Sequence, residues 1–430
     1  MADPPKLVRA IGRWDLTASV INSVIGSAIF GMPAVLAGLT GALSPLAALY
    51  GGLGILAVVL CHAEVASRFR EPGGTYLYIR EAFPPFVGFQ AGWLSFVIRV
   101  LSMGANLNVF ADYLGQLVPA LGQGAGRAGA MCAVALVTTV INVLGVRQGA
   151  WTVDAFVVAK VLPLALLATF GVARVSSEVI ATQVVADPDW TQAVLLLVFA
   201  YGGFEAALIP ASEMKDPRRD TGFALLAGLG VIAAVYMLVQ LAVVGLVPHA
   251  ASTRAPVAAA FGVLVGPVGV VLASAAAVTS TWGWTVGAVL NSPRMVYSMA
   301  ERGELPAALA AVHARFRTPH VAIVLYAATG LATALTGGFA ANATLSAIVR
   351  LVTYALVCLS LVLLRRRGGE AAAFPVPAGN LVALLGVGFC GWLLTTRTFT
   401  QAWMLAAIMV AGWALSLLSR RRGPADRVVQ

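Results

Sequence analysis

Glycines interrupt two long apolar runs of this sequence, at Val24-Ile25-Gly26-Ser27-Ala28-Ile29-Phe30-Gly31-Met32-Pro33 and at Phe199-Ala200-Tyr201-Gly202-Gly203-Phe204-Glu205. Lipid cannot hydrogen-bond the backbone, so a helix that crosses a bilayer avoids freeing its N–H and C=O groups. A break is tolerated where it lines a cavity, and the freed groups can then hold a ligand. Two breaks at corresponding places of two halves of a chain indicate a ligand site where the halves meet.

The composition supports the view that these runs lie in a membrane. The chain has 430 residues, of which 60% are hydrophobic and 11% are charged, and its mean hydropathy is +0.88. A soluble domain carries about 25% charged residues. Runs such as 223–247 do not alternate in polarity, as the strands of a β-barrel would. We therefore expect an all-α integral membrane protein whose spanning helices contain about 20 residues each.

Charged and Pro/Gly clusters divide the chain into twelve predicted spans. Most Lys and Arg residues then fall in alternate loops, which the positive-inside rule places in the cytoplasm together with both termini. Four arginines remain for the outer loops, namely Arg127, Arg174, Arg254 and Arg397. The expected location is the inner (plasma) membrane of the cell. The spans are 15–40, 43–67, 86–118, 127–146, 150–174, 191–211, 220–247, 262–290, 320–338, 343–364, 376–396 and 399–419.

The net charge of +10 and the four cysteines do not indicate other classes of partner. The basic residues lie in short loops between spans, so we expect no nucleic acid partner. The cysteines lie in apolar stretches without a CxxC pair, which predicts neither a disulfide framework nor a zinc site. The amino terminus lacks a clear cleavage site after a short apolar core, so we interpret it as an uncleaved first helix.

The spacing of the two breaks predicts an inverted repeat. Gly26 and Gly202 fall in spans 1 and 6, which are five spans apart. An odd number of spans per repeat turns the second copy upside down in the membrane. We expect a first five-helix repeat at 1–175 and a second at 190–366. Spans 11 and 12, at 376–420, lie outside the repeat as peripheral helices and could provide a homodimer contact.

The chemistry of the breaks suits a zwitterion. After the first break, the free amides of Gly26, Ser27 and Ala28 lie at a half-helix amino terminus, which attracts a carboxylate. At the second break, the carbonyls of residues 199–201 can accept from an ammonium group. For either break alone, close packing through small residues is an equal alternative. The matched pair favours a site for an amino acid or a related amine.

Three motifs in order resemble the amino acid–polyamine–organocation (APC) superfamily, and specifically bacterial amino acid permeases. Gly26-Ser27-Ala28-Ile29-Phe30 is similar to the Gly-Ser-Gly-Ile-Phe motif of that family, with Ala28 where glycine is usual. The second break, followed by Glu213-Met214-Lys215-Asp216-Pro217-Arg218-Arg219, is similar to the sixth-span signature. Gly73-Gly74-Thr75-Tyr76 is similar to the Gly-Gly-x-Tyr loop. The resemblance covers essentially the whole chain and implies the leucine-transporter-type fold. We expect the Ala28 methyl to narrow the pocket or to stiffen the break.

The resemblance also implies roles for three side chains. Phe199 matches an aromatic gate over the substrate, against the alternative of an ordinary buried aromatic. Glu205 matches an acidic residue linked to proton sensing in some members. The alternative is that Glu205 makes a structural hydrogen bond. Lys160 matches a lysine whose ammonium occupies the place where sodium-coupled relatives bind sodium. The alternative is that the Lys160 side chain snorkels to the membrane interface. Lys160 and Glu205 are therefore the candidates for proton coupling, and sodium coupling is not expected.

Other polar and aromatic side chains within the spans have open roles. Asn106 and Asn108 in span 3 and Trp282 and Trp284 in span 8 could line the pocket, with packing as the alternative for each. Arg99 and Arg350 are buried cations that require partners, and Asp112 and Asp154 are the acids considered. The predicted substrate-binding set is Ile25, Gly26, Ser27, Ala28, Asn106, Phe199, Ala200, Tyr201, Gly202 and Trp282.

We interpret the sequence as a secondary active transporter that moves an amino acid or related amine by alternating access, without cofactor or bound metal. Proton coupling or exchange is expected, with the small molecule and the lipid bilayer as partners. The alternative is a non-transporting membrane sensor or partner subunit with the same fold, because fold does not fix function. An intramembrane enzyme would need a convergent His/Asp/Glu/Cys group, and none is visible, so no enzyme is expected.

Overall fold

The computed structural model describes residues 12–69, 74–145, 160–208, 214–368 and 371–421, and these residues form helices joined by short turns. The helices are α1 Arg13–Val24, α2 Ala28–Thr40, α3 Ser44–Ala66, α4 Gly74–Ala82, α5 Pro85–Leu117, α6 Gly124–Val143, α7 160–166, α8 Ser177–Ala181, α9 Trp190–Ala200, α10 Phe204–Ala207, α11 Pro217–Leu246, α12 Pro256–Val265, α13 Pro267–Glu301, α14 His320–Thr336, α15 Phe339–Arg367, α16 Gly379–Thr395 and α17 Phe399–Arg421.

Several helices have the length and apolar character that a bilayer requires. Within the described residues, six stretches meet both conditions: Ala28–Ala66, Pro85–Leu117, Gly124–Val143, Arg219–Leu246, Phe339–Arg367 and Phe399–Leu417. Three shorter apolar helices are Pro256–Val265, His320–Thr336 and Gly379–Thr395. The chain is therefore an all-helical, multi-pass membrane protein. The exact count of twelve spans and the repeat stay predictions.

The eighth predicted span, 262–290, begins at the wrong place. Helix α12 ends at Val265, and α13 runs from Pro267 to Glu301. Gly266 separates them with φ +72°, a left-handed conformation that suits glycine, and Pro267 opens the next helix. The segment after span 2 also contains the helix α4 where a loop was expected. The first part of the expected fifth span 150–174, up to residue 159, lies outside the described residues.

The two interrupted helices lie in the middle of the bundle. Helix α1 packs against α10, and α2 packs against α9, so the first half of each broken helix meets the second half of the other. Helix α11 packs along both α1 and α3 on one side. On the other side, α5 packs against α13, α14 and α15. This arrangement surrounds both breaks with helices.

Polar contacts fix the ends of several helices. The Tyr76 hydroxyl donates to both carboxylate oxygens of Glu304, at 2.9 and 3.1 Å, and so attaches α4 to the end of α13. Burial and the nearby carboxylate raise the pKa of Tyr76, so its hydroxyl keeps the proton that it donates. Glu64, at the end of α3, accepts two hydrogen bonds from Arg365 of α15, at 2.7 and 2.5 Å. The contact with Glu304 gives the tyrosine of the Gly-Gly-x-Tyr segment a structural role.

Candidate functional site

The two helix breaks touch each other. Helix α1 ends at Val24 and α2 begins at Ala28, while α9 ends at Ala200 and α10 begins at Phe204. A Cβ atom placed on Gly203 would lie 2.7 Å from the carbonyl oxygen of Ser23. Gly203 also has φ +112°, which L-residues rarely adopt. Glycine at this position therefore lets the second break approach the backbone of the first.

The start of α2 offers amide donors. The amides of Phe30 and Gly31 donate back to the Ser27 carbonyl, both at 3.1 Å. The backbone amides that precede Phe30 in the first turn have no acceptor within the helix. The positive end of the helix dipole lies at the same place. Residues Ser27 and Ala28 therefore lie where a small anion can accept hydrogen bonds.

Tyr236 of α11 joins the carbonyl ends of the two first half-helices. Its hydroxyl lies 2.8 Å from the Ala200 oxygen and 3.3 Å from the Val24 oxygen. The Phe199 oxygen accepts from the Gly202 amide at 3.1 Å. A carbonyl has two lone pairs, so a substrate ammonium would share Phe199 and Ala200 with these donors.

Lys160 lies at the carboxyl-terminal end of α1. Its Nζ donates to the backbone oxygen of Asn22 at 2.8 Å and to the Asn22 side-chain oxygen at 2.5 Å. Its exposed fraction is 7%, so the ammonium is held inside the bundle and does not snorkel. A cation at this end complements the negative pole of the half-helix. The structure thus places Lys160 next to the first break.

Arg350 of α15 lies on the second break and pairs with Glu205. Its Nη1 donates to Glu205 Oε1. Glu205 Oε2 also accepts from the Gly203 amide at 2.9 Å. A Cβ atom on Gly202 would lie 2.5 Å from the Arg350 Cζ. The glycine at position 202 therefore leaves room for a guanidinium, and the ion pair is anchored to the break itself.

Phe199 packs against Phe339, the first residue of α15. The two ring centroids are 6.1 Å apart in an edge-to-face arrangement, and both residues are buried. The Phe339 ring also lies over Gly31 of α2. Phe339 lines an open depression of about 540 Å³, together with Asn108, Asp112, Gln123, Gly124, Arg127, Arg254 and Gly338. The aromatic pair thus separates this depression from the breaks.

Trp284, and not Trp282, lies beside the first break. A Cβ atom on Gly26 would lie 3.6 Å from the Trp284 ring. Trp282 is 37% exposed, and residues two apart on a helix project in nearly opposite directions. The assignment of Trp282 to the site is therefore corrected to Trp284.

Asn106 is buried between two helices. Its Nδ2 donates to the Thr281 oxygen at 2.9 Å and to Thr285 Oγ1 at 2.8 Å. Its Oδ1 has no hydrogen-bond partner within the described residues. The amide thus fastens α5 to α13 while one acceptor is left unused.

The remaining members of the predicted set have apolar or structural surroundings. Ile25 is buried in the core. Ala28 and Ala200 line a small, mostly apolar cavity of about 20 Å³ beside Tyr236. The Tyr201 hydroxyl donates to the Ala48 oxygen at 2.6 Å, so only its backbone could serve a substrate. Within the described residues, no group of three or more His, Cys, Asp or Glu could hold a metal ion.

One of the two acids considered as partners of Arg99 and Arg350 has a different partner. Asp112 pairs with Arg127 at 2.5 Å, and Asp154 lies outside the described residues. Arg350 instead pairs with Glu205, which is 145 positions away in sequence. Sequence reasoning also missed Tyr236 and Phe339, because an isolated aromatic in an apolar run carries no signal of its contacts.

The chain is similar to several known transporters. It is 28% identical over 426 residues to the serine/threonine exchanger SteT of Bacillus subtilis (strain 168), with 95% of each chain covered. It is 26% identical over 413 residues to the methylthioribose transporter of the same organism, with 90% of this chain and 88% of the relative covered. It is 26% identical over 337 residues to the mouse (Mus musculus) large neutral amino acids transporter small subunit 2, with 74% and 63% covered.

The family assignment rests on nearly the whole chain. A family model described as amino acid permease matches residues 11–418. This range includes both breaks, Lys160 and the ion pair of Glu205 with Arg350. The family and the relatives are transporters and not enzymes. The chain therefore belongs to the amino acid permease family of the APC superfamily.

Proposed function

We propose that this protein is a secondary active transporter that carries an amino acid or a related amine across the membrane by alternating access. The observation that carries the proposal is the contact between the two breaks, where Gly203 lies against the Ser23 carbonyl. One break offers amide donors and the other offers carbonyl acceptors. Together they complement the two charges of an amino acid backbone.

The packing of the half-helices favours the inverted repeat. Two halves related by an in-plane two-fold axis bring the first half of one broken helix against the second half of the other. The contacts of α1 with α10 and of α2 with α9 have this pattern. We therefore keep twelve spans with both termini in the cytoplasm, and we place alternating access in movements around the breaks.

Phe199 is proposed as a gate because of its position. It forms one side of the aromatic pair with Phe339, between the breaks and the depression of about 540 Å³. Movement of either ring would connect the depression with the start of α2. The proposed substrate set is Gly26, Ser27, Ala28, Phe199, Ala200 and the neighbouring Trp284.

Lys160 is the better candidate of the two for proton coupling. Among the described residues, its ammonium contacts only the neutral oxygens of Asn22, so loss of a proton would leave no described carboxylate without its partner. Glu205, in contrast, has the fixed charge of Arg350 beside it. An ammonium at the end of α1 also occupies a place where a metal cation could bind backbone oxygens. The proposed transport is therefore independent of sodium.

Uptake by proteoliposomes tests the proposed function. Purified protein is reconstituted, and the entry of radiolabelled amino acids, polyamines and methylthioribose is measured with and without the same solute inside. We expect saturable entry of at least one amino acid. Binding without entry of any of these solutes would favour the alternative, a sensor or partner subunit.

Sodium replacement and a lysine variant test the coupling. We expect uptake by the native protein to change less than about twofold when choline replaces sodium. We expect Lys160→Met to lower uptake by about tenfold or more, because the Asn22 oxygens lose their charged donor and a charge-assisted hydrogen bond contributes about 1.5–3 kcal/mol. Sodium should not restore this variant. A native requirement for sodium, or full activity of Lys160→Met, would contradict the assignment.

A further inference from the structure

Arg99 of α5 is a charged side chain in the bundle without a described ion pair. Its side chain forms no hydrogen bond or salt bridge with the described residues, and only its backbone oxygen accepts from Tyr326, at 3.2 Å. It is half-buried. A charged group in a spanning segment is costly and normally finds a partner or faces a water-filled cavity. Its position therefore requires an explanation.

The contacts of α5 and α15 place Arg99 next to Arg350. Asn108 donates to the Gly337 oxygen at 2.9 Å, and Ser102 and Ser346 touch at 3.3 Å between their hydroxyls. Residue numbers fall along α5 as they rise along α15, so the two helices run in opposite directions. One turn beyond the serine contact lies Arg99 on α5 and Arg350 on α15.

The cluster of Arg99, Arg350 and Glu205 has more positive than negative charge. Within the described residues, Glu205 is the acid that pairs with Arg350, and its other oxygen accepts from the Gly203 amide. Arg350 is 5% exposed, and its Nε has no partner within the described residues. A buried donor without an acceptor is costly. Arg99 and the Nε–H of Arg350 can thus both donate hydrogen bonds to an anion.

The cluster is also close to the proposed substrate site. Arg350 lies against Gly202 of the second break. Arg99 and Asn106 are seven residues apart on α5, which places them on one stripe of the helix. Asn106 contacts α13 one turn from Val109, whose side chain lies against Gly31 of α2. The contact of Arg350 with Gly202 is therefore the direct link between the arginines and the breaks, and the stripe on α5 extends from Arg99 towards α2.

We propose that Arg99, with the Nε of Arg350, recognises a second anionic group on the transported molecule, so that the substrate is an amino acid with a carboxylate in its side chain. The inference rests on the proposed transport function and names its substrate class. A zwitterion with a neutral side chain leaves the extra positive charge unbalanced, whereas an acidic side chain balances it. Cationic amino acids and polyamines would be repelled.

Competition for uptake tests the inference in proteoliposomes. Unlabelled glutamate, aspartate, glutamine, asparagine and lysine compete with the labelled amino acid that the native protein transports. We expect the two acids to compete at least about tenfold better than their amides, which is the factor that one charge-assisted hydrogen bond provides. Arg99→Gln should remove this difference while it leaves competition by the amides within about twofold. Arg99→Lys should retain part of it.

Arg294→Gln is the matched control, because it removes one positive charge from an exposed position on α13. It should leave the preference for acids unchanged. Each variant is checked by thermal melting, and Arg99→Lys provides a reading if Arg99→Gln does not fold.

Transport of neutral amino acids without a preference for acids would overturn the inference and leave the proposed function intact. Absence of transport of any amino acid or amine would overturn the proposed function itself.

A small inorganic anion is the other source of negative charge. Replacement of chloride by gluconate separates the two sources. We expect uptake of the acidic amino acid to be unchanged in gluconate. A chloride requirement that disappears in Arg99→Gln, together with equal competition by acids and amides, would assign Arg99 to chloride and overturn the inference.

Discussion

Replacement of Gly203 by alanine is expected to lower amino acid uptake by more than about tenfold while the protein still inserts into the membrane. The native residue has φ +112°, and the added Cβ would lie 2.7 Å from the Ser23 oxygen and 3.3 Å from its carbonyl carbon. A left-handed conformation costs an L-residue about 1–2 kcal/mol. Relief of the contact would require the two breaks to move apart.

The effect should be specific to this contact. Gly230 of α11 is an exposed helical glycine with no heavy atom within 4 Å of an added Cβ. Gly230→Ala should therefore leave uptake within about twofold of the native rate, since alanine favours the helix. Gly26→Ala should be milder than Gly203→Ala, because its Cβ would meet the Trp284 ring at an ordinary 3.6 Å. Native uptake by Gly203→Ala would show that the breaks need not touch.

Removal of Arg350 is expected to cause the largest loss of stability. Arg350→Met leaves the Glu205 carboxylate without its ion-pair partner inside the bundle. Breaking a buried pair from one side costs about 3–5 kcal/mol. We expect the melting temperature in detergent to fall well below the native value. Arg294→Met, at an exposed site, should melt close to the native protein.

A double variant distinguishes the loss of the Glu205–Arg350 ion pair from the separate effects of the two substitutions. Glu205→Gln in the Arg350→Met background removes the unpaired charge, and the replacement of both partners is often nearly neutral. We therefore expect the double variant to melt above Arg350→Met alone. Losses that simply add would mean that the two residues do not interact, since independent sites are additive.

The sequence predicted the breaks because their signal is local. Glycine in the middle of an apolar run is visible without any knowledge of the partner helices, and so is the lysine at position 160. The spacing of the two breaks likewise predicted a site where the halves meet, but it did not predict that α1 pairs with α10. The Gly266-Pro267 boundary was also visible in principle, since proline is common at the first position of a helix, but the predicted span 262–290 ran across it.

The pairing of side chains could not be predicted in the same way. Arg350 and Glu205 lie 145 positions apart, and nothing in either run distinguishes Glu205 from Asp112 as a partner. The choice between Trp282 and Trp284 depends on how α13 is rotated about its axis. Tyr236 is one tyrosine in an apolar helix until its hydroxyl is seen to join Ala200 and Val24. Such roles follow from rotation and contact, which sequence periodicity leaves open.

Substrate protection of a cysteine at position 27 tests the central claim most directly. Ser27 is buried at the start of α2, and Ser27→Cys is nearly isosteric. Cys61, Cys358 and Cys390 are buried, so the exposed Cys132 is first replaced by serine. Alkylation by a small thiol reagent is then timed with and without the transported amino acid, and Gln123→Cys in the open depression is the control. The account predicts that substrate slows alkylation at position 27, at the concentrations that saturate transport, and leaves position 123 unchanged. Equal rates at position 27 with saturating substrate, in a variant that still transports, would contradict it.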